Sequence, residues 1–494
     1  MSPFDLVNAT DLAPPRPWPH RVLSRSDWAA MASARQPGPD LGLVALWADT
    51  NHVHALLIDD ASDCVLPVAV AVEAGHYPAL SSAWPIAAWF ERLISDLWGH
   101  VADGGHDLRP WLDHGQWSRT QPLASRPGPP SSAAEPTAFL VSDAKDLMQI
   151  PHGPVHDLIG EAAHIRLTAR GGTVLRAESR LGYTHKGVLT LMRGKSPRAA
   201  ARFAARLAGD ATVAHSLAFA RATEAALDRA PPPRALVLRA AMAELERIAG
   251  HLDTLAVQAD GLGFSALHAE CGLHREHLLR AVGAAFGHRL MMDCIVPGGV
   301  AIDIAADGSS AILAALRELD AGLAALRRRC DKLLAHVEGL GKVTPAAVAA
   351  WAAGGVVGRA SGRAFDARRF DTACPTPAPC TERAGDVAAR CRVRMAQIAD
   401  SIRLVRTLLD ELPEGSITVG LPADSGEGIG CAESVRGDVW HWLRIDHGQI
   451  AAAFPRDPGW ALWPLAETAV AGCRTEEVDV ILHSFGLAAS PVDL

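Results

Sequence analysis

The sequence predicts an α+β protein: a small N-terminal α+β domain followed by a mainly α-helical bundle domain with peripheral β-hairpins. Three observations predict it. Short apolar runs broken by Asp, Asn, Ser and Gly fill residues 41–76. From residue 198 onward apolar side chains instead recur at spacings of three and four, over stretches too long for strands. Between the two patterns lies a Pro-, Ser-, Ala- and Gly-rich segment with almost no apolar periodicity, the composition of an extended linker. The corresponding limits are an N-terminal extension over 1–40, the small domain over 41–121, the linker over 122–145 and the helical domain over 146–494.

In chain order, Gly42 to Trp47, His54 to Ile58 and Val65 to Val72 have strand character. Trp89, Leu93 and Leu97 then share one face at helical spacing, and Gly99 ends that helix. Beyond the linker, His164 to Leu175 alternates and folds back at Gly171-Gly172, a hairpin signal. Arg198 to Leu227, Arg234 to Leu262 and Phe264 to Phe286 follow as amphipathic helical stretches. Two later stripes are more regular: Ile312, Leu316, Leu319, Leu323, Leu326, Cys330, Leu333, Val337 and Leu340, and then Val387, Cys391, Met395, Ile398, Ile402, Val405, Leu409 and Leu412. Each stripe needs a facing partner to bury it, which predicts long core helices of a bundle. A C-terminal hairpin over Val439 to Ile445 turns at Asp446-His-Gly448.

With 494 residues, 49% of them apolar, the chain can bury a sizeable core. Its 47 basic and 55 acidic residues give a net charge of -8 with no run of Lys or Arg, which excludes nucleic acid as a partner. The first residues lack the basic and apolar regions of an export signal. The most apolar stretch, Ala346 to Val357, is broken by Gly354 and Gly355 and falls short of the roughly 20 residues that a spanning helix needs, so no direct membrane span is expected. The nine cysteines read as reduced thiols. Only Cys374, Cys380 and Cys391 cluster, and none of their spacings suits zinc or iron–sulfur ligation, so Cys391 reads as helix core and the other two as loop residues. No Gly-x-Gly-x-x-Gly joins a strand to a helix, so the chain is not expected to bind nicotinamide or flavin directly.

The stretch Arg206-Leu-Ala-Gly-Asp-Ala-Thr-Val-Ala-His215 resembles the first cysteine motif of nickel–iron hydrogenase large subunits, Arg-x-Cys-Gly-x-Cys with a histidine beyond. Ala208 and Ala211 stand at both cysteine positions. The resemblance extends to Tyr183-Thr-His185-Lys186-Gly187, Glu244-Leu-Glu-Arg247-Ile-Ala-Gly-His251, Arg275-Glu276, Val296-Pro-Gly-Gly-Val300 and Arg359-Ala-Ser361-Gly362. The second metal motif, Asp-Pro-Cys-x-x-Cys, corresponds to Gly486-Leu-Ala488-Ala-Ser-Pro, again without a thiolate. Soft thiolates hold nickel and the iron beside it, so Ala208, Ala211 and Ala488 imply a large-subunit homologue without a nickel–iron centre, not a functional nickel–iron hydrogenase by itself. In the small domain, Trp89-Phe-Glu91-Arg92-Leu-Ile-Ser-Asp96-Leu-Trp-Gly99 resembles the 30-kilodalton-type subunit of complex I, with Leu93 where that family has a second glutamate. The two parts are fused here as in formate hydrogenlyase-type and hydrogenase-4-type large subunits.

The resemblance also implies roles for individual residues. The complex I large subunit places a quinone-binding histidine and tyrosine where this chain has Gly153 and Gly209. The energy-converting hydrogenase pattern fits better, as Gly153-Pro-Val-His156, Glu161 and His164-Ile-Arg166, which makes Glu161, with His156, the candidate proton relay. His185, Arg206, His215 and His251 are expected at the edge of a 4Fe-4S cluster in a partner subunit, where cations and donors near the sulfurs raise its potential. Lys186 replaces the arginine usual after His185, keeping the charge and losing the planar fork. The function implied is that of a core peripheral-arm subunit of a membrane-bound complex I- or hydrogenase-related oxidoreductase. It would take electrons from an iron–sulfur small subunit, pass them to a quinone or another acceptor, and couple them to ion or proton translocation by antiporter-like membrane subunits. Its expected place is the cytoplasmic face of the inner membrane, peripheral through those partners. The rival expectation is a redox-inert scaffold of such a complex.

Overall fold

The computed structural model describes all residues except 1–16, 19, 34–40, 61, 63, 108, 131–138, 141–143, 157–158, 372 and 374–377. Most of the N-terminal extension, part of the linker and Cys374 therefore lie outside the described residues.

The three predicted N-terminal strands are Leu41–Ala48, His52–Asp59 and Cys64–Ala71, joined as an antiparallel meander. A fourth strand, Arg21–Leu23, pairs in parallel with Cys64–Ala71 at the open edge. Leu41–Ala48 is buried at every position, so its sequence reads as a continuous apolar run rather than an alternation. The helix Ala87–Trp98 packs against it, and from the C-terminal part of the chain Phe454 stacks on Trp47 at 5.8 Å while Arg456 Nε donates to the Val44 carbonyl. The helix ends where the sequence predicts, with Gly99 at φ 75 donating to the Ser95 carbonyl. Its buried face is centred on Phe90, Leu93, Ile94 and Leu97, and Trp89 stays half-buried at the rim.

Four long helices form the bundle: Pro233–Gly261, Ser265–Phe286, Ala306–Val337 and Val387–Asp410. Each packs on two of the others in a closed circuit, which buries both regular stripes. The stretch from 198 to 227 departs from expectation. It is two helices, Pro197–Ala204 and Thr212–Ala226, because the intervening loop turns back on itself: the Thr212 hydroxyl donates to the Ala205 carbonyl at 2.6 Å. Thr212–Ala226 lies on the three-stranded sheet Gly426–Glu433, Asp438–Asp446 and Gln449–Arg456. Alternate glycines make that contact close. A Cβ at Gly426, Gly428 or Gly430 would stand 2.0, 2.2 or 2.3 Å from the carbonyls of Ala226, Ala222 and Ala218. Every second strand residue meets every fourth helix residue, since the two repeats have similar rise.

Both predicted hairpins form. His164–Arg170 and Thr173–Arg180 turn through Gly171 and Gly172, both at positive φ as a type I′ turn requires, and the C-terminal pair turns through His447 and Gly448. Trp460, on the helix Gly459–Val470, stacks on Phe90 at 4.4 Å and Trp111 at 5.3 Å, so the core of the N-terminal sheet and that of the helical part are one apolar cluster. Among the described residues no helix is long and apolar enough to cross a membrane.

Candidate functional site

Three stretches distant in sequence converge around Ala208, Ala211 and Ala488: residues 182–188, the loop carrying Ala208 and Ala211, and residues 486–494. Ala208, Ala211 and Ala488 are all buried. Lys186 joins two of the stretches, its ammonium donating to the carbonyls of Leu207 at 3.3 Å and Ser490 at 3.2 Å and to the Ser490 hydroxyl. Glu161 Oε2 accepts from the Ala489 and Ser490 N–H groups at 2.5 and 2.8 Å. Asp493 accepts from Gly182 N, Thr184 N and the Thr184 hydroxyl, and its own carbonyl accepts from His185 Nδ1 at 2.6 Å. The His185 ring stacks on Trp117 at 5.2 Å. Burial pushes Asp493 up to about 6 against the hydrogen bonds from Thr184 and Gly182. Burial also lowers the Lys186 pKa, opposed by the charges of Glu161 and Asp493. Where a nickel–iron large subunit has soft anionic ligands, this chain offers methyl groups and a fixed ammonium, and such a donor set does not fit a nickel–iron centre.

Gly153 is equally exclusive. At φ +88 a Cβ there would stand 2.1 Å from the Ala163 carbonyl, so no side chain, a histidine included, fits at this position. His156 is held nearby, its Nε2 donating to the same Ala163 carbonyl at 3.0 Å.

The four residues expected at one cluster edge fall into separate networks. Arg206 is half-exposed and forks onto both oxygens of Asp293 at 2.7 Å each, while His185 belongs to the tail network above. His215 and His251 are 0% exposed, so in this conformation both rings lie inside the fold rather than on a face. The physical reason is that each has found internal partners. His215 hydrogen-bonds His441 Nε2 at 3.1 Å and Asp457 Oδ2 at 3.2 Å. Arg436 pairs with Asp457 and with Asp210 of the alanine-bearing loop. Burial alone would raise the Asp457 pKa, but Arg436 and then His215 outweigh it and hold it well below the carboxylate range. Glu246 caps the start of the helix Thr212–Ala226, accepting from Val213 N and Ala214 N at 2.6 and 3.0 Å, and burial pushes it up to about 8.

His251 lies among buried arginines. Burial, then Arg394, Arg247 and Arg359, hold its pKa far below the usual imidazole value, so the ring is neutral. With its amide oriented to suit its neighbours, Gln397 donates to His251 Nε2 at 2.7 Å and accepts from Arg359 Nη2 and Nε at 2.6 and 2.8 Å. Among the described residues His251 Nδ1 and the Nε and Nη1 of Arg394 have no partner. Gln397, His441, Asp457 and Asp493 carried no local signal that would have singled them out, since each lies in a pattern that reads as core or tail.

These titrations set a pH dependence. Glu246, at about 8, and Glu467, pushed by burial to about 7, keep their protons on folding where an unfolded chain releases them near pH 4.5. The folded state then binds more protons than the unfolded one across this window, and stability falls as pH rises through it. The midpoint of thermal unfolding is expected to drop between about pH 4.5 and about pH 8, and Glu246→Gln is expected to flatten that slope.

Residues 262–425 match the family described as Respiratory-chain NADH dehydrogenase, 49 Kd subunit, and residues 38–126 match Respiratory-chain NADH dehydrogenase, 30 Kd subunit. The chain is also 27% identical over 455 residues to Hydrogenase-4 component G of Escherichia coli (strain K12), covering 89% of this chain and 80% of that one. The chain belongs to the complex I and hydrogenase large-subunit family. Formate hydrogenlyase subunit 5 of the same organism is 26% identical over 464 residues, with 89% and 81% coverage. Among solved structures, a chain of the membrane-bound sulfane sulfur reductase, described as an archaeal respiratory membrane complex, superposes with a TM-score of 0.61 at 21% identity, covering 72% of this chain and all of that one, which establishes the shared fold. The 30 Kd match spans the N-terminal meander and the helix Ala87–Trp98. The 49 Kd match begins inside the bundle, so the site built on Glu161, Lys186 and Ala208 lies outside both matched segments.

Proposed function

We propose that this protein is a core peripheral-arm subunit of a membrane-bound oxidoreductase related to complex I and hydrogenases. It receives electrons from a 4Fe-4S cluster in an iron–sulfur small subunit and couples their arrival to proton movement, without a nickel–iron centre. The observation that carries this reading is the arrangement of Glu161, Lys186 and Asp493 around the vacated alanine positions. Of these groups Asp493 is buried, Glu161 partly so and Lys186 at the exposed edge, and a charged group withdrawn from water is costly to keep without partners.

In this reading Glu161 is the proton relay. Its Oε2 is fixed by two N–H groups beside the Lys186 ammonium, so a proton arriving at Glu161 changes the charge facing Lys186 and, through it, Asp493. Asp493, raised to about 6, and Lys186, lowered by burial, have proton affinities closer together than the free groups do. The cluster and its electrons belong to the partner. The acceptor is a quinone or another small oxidant, held without the complex I histidine contact because Gly153 has no room for it. Antiporter-like subunits form the membrane arm, and this chain sits on the cytoplasmic face of the inner membrane through its partners.

The test is affinity purification of the tagged protein from detergent-solubilised host membranes, followed by Glu161→Gln in the intact assembly. An iron–sulfur subunit and polytopic antiporter-like subunits are expected to co-purify. Glu161→Gln is expected to lower turnover by at least about tenfold while the complex still assembles and its cluster is still reduced. Unchanged turnover removes the relay. Recovery of the protein with its partners but with no turnover under any donor leaves the scaffold role, and recovery of the protein alone sinks the membrane complex.

A further inference from the structure

Far from the alanine positions, three chain segments bring metal-ligating side chains together. His20 directly precedes the edge strand Arg21–Leu23, His54 lies on the strand His52–Asp59, and Glu427 lies on Gly426–Glu433 of the C-terminal sheet. One ligand atom from each lies within 4.8 Å of the other two. His20 and His54 are buried, and the Glu427 side chain is 16% exposed.

The three side chains are spaced closely enough to share an ion. His20 Nε2 stands 3.4 Å from His54 Nδ1, and His20 Nδ1 stands 3.5 Å from Glu427 Oε1. Both are long for good hydrogen bonds. The first matches the separation of about 3.4 Å between ligand atoms on a tetrahedral ion with bonds of about 2.1 Å; a ring gives an ion one nitrogen, so the second is a contact of the other nitrogen of His20, and the three ligand atoms as a set lie within 4.8 Å. His54 Nε2 donates to Asp49 Oδ2 at 3.0 Å, which in the neutral ring leaves Nδ1 as a bare lone pair aimed at His20. This is the carboxylate–histidine arrangement that orients metal-binding imidazoles. The His54 ring is fixed between Trp47, stacked at 5.4 Å, and Trp442 at 5.1 Å.

Arg444 is a nearby cation, and it is directed away. Its Nη2 pairs with Asp49 at 2.7 Å and its Nε with Glu427 Oε2 at 3.3 Å, leaving Oε1 to face His20 and the Trp442 indole N–H. Glu427 also rims an open groove lined by Asp228, Asp424 and Asp446, whose charges favour approach of a cation.

We propose that His20, His54 and Glu427 form a binding site for a zinc-class divalent cation, which clamps the N-terminal segment and the N-terminal sheet to the C-terminal sheet. Two imidazoles and one carboxylate suit zinc and its borderline neighbours rather than calcium or magnesium. The fourth position, on the groove side, takes a water. The site lies apart from the alanine positions and does not depend on the redox reading.

The test uses the purified full chain, stripped by a chelator and titrated with zinc chloride against a chromophoric competitor. One equivalent is expected to bind with the unfolding midpoint raised by several degrees. His20→Gln and Glu427→Gln are each expected to weaken that binding by at least about tenfold. X-ray absorption of the zinc-loaded wild-type chain is expected to give a nitrogen and oxygen shell. A sulfur-containing shell, wild-type binding in both variants, or no stoichiometric zinc in the unmutated chain would each overturn the proposal.

Discussion

Arg359→Met is expected to remove about 3–5 kcal/mol of stability, a large share of the total for any single domain. The guanidinium is 1% exposed and is the centre of the network around His251. It pairs with Glu433 at 2.8 Å and Asp366 at 3.3 Å, and it donates to the Phe365 carbonyl and to Gln397. Removing it leaves two carboxylates inside the fold. Burial already raises the Glu433 pKa even with Arg359 beside it, so without that charge the group is driven further toward its neutral form. Arg368 remains on Asp366, through a fork within 3.1 Å, with the Arg247 charge acting beside it. The loss is measured by denaturant unfolding of the full chain. The double variant Arg359→Met/Glu433→Gln is expected to recover part of it, because the deficit comes from an uncompensated charge rather than from lost volume. A single variant within about 1 kcal/mol of the unmutated chain would mean that the network does not carry charge as drawn.

The contrast between what could and could not be read from the sequence follows from range. The meander, both hairpins and the bundle helices are set by patterns inside windows of a dozen residues, and their positions in the structure agree with those patterns. The break between Pro197–Ala204 and Thr212–Ala226 is marked locally only by Gly209-Asp210, set among the apolar Ala205, Leu207, Ala208 and Ala211. What ends the helix is a hydroxyl seven residues away, Thr212, reaching back to Ala205. The edge strand Arg21–Leu23 was invisible for a related reason, since its sheet partner among the described residues, Cys64–Ala71, is distant in sequence and three residues carry no period of their own.

The site divides the same way. The emptiness of Ala208, Ala211 and Ala488 is a statement about residue type in a local motif, and it is legible. The replacement of an arginine by Lys186 reads locally as a lost fork, whereas in the fold it supplies the single ammonium that ties Leu207 to Ser490. His215 and His251 look alike in sequence as lone histidines after a motif. They differ only through Asp457 and His441 in one case and Gln397 and Arg359 in the other, partners that only the folded chain brings close. Grouping them at one edge followed from resemblance, and burial separates them.

Trp460→Ala is expected to destabilise the protein by about 3–5 kcal/mol and to show that its two fused parts unfold together. The side chain is 0% exposed, and it stacks on Phe90 at 4.4 Å and on Trp111 at 5.3 Å, both from the N-terminal part of the chain. Truncation removes two aromatic contacts and leaves a cavity that the surrounding helices can fill only in part. The consequence extends to the vacated site. Trp460 follows Gly459, whose N–H donates to Asp457 Oδ1 at 2.7 Å and whose Cα packs on Val492, next to Asp493. Loosening this helix start therefore loosens the Asp457–His215 pair and the tail held by Lys186. Calorimetry of the unmutated chain is expected to give one cooperative transition across the fused parts. In Trp460→Ala the transition is expected to split, with the N-terminal meander unfolding first, because it loses its principal aromatic anchor. Trp460→Phe keeps a ring in the stack and is expected to cost less than about 1.5 kcal/mol without splitting it. A single, undisplaced transition in the alanine variant would mean that the meander is held to the bundle by the Trp47 and Arg456 contacts alone.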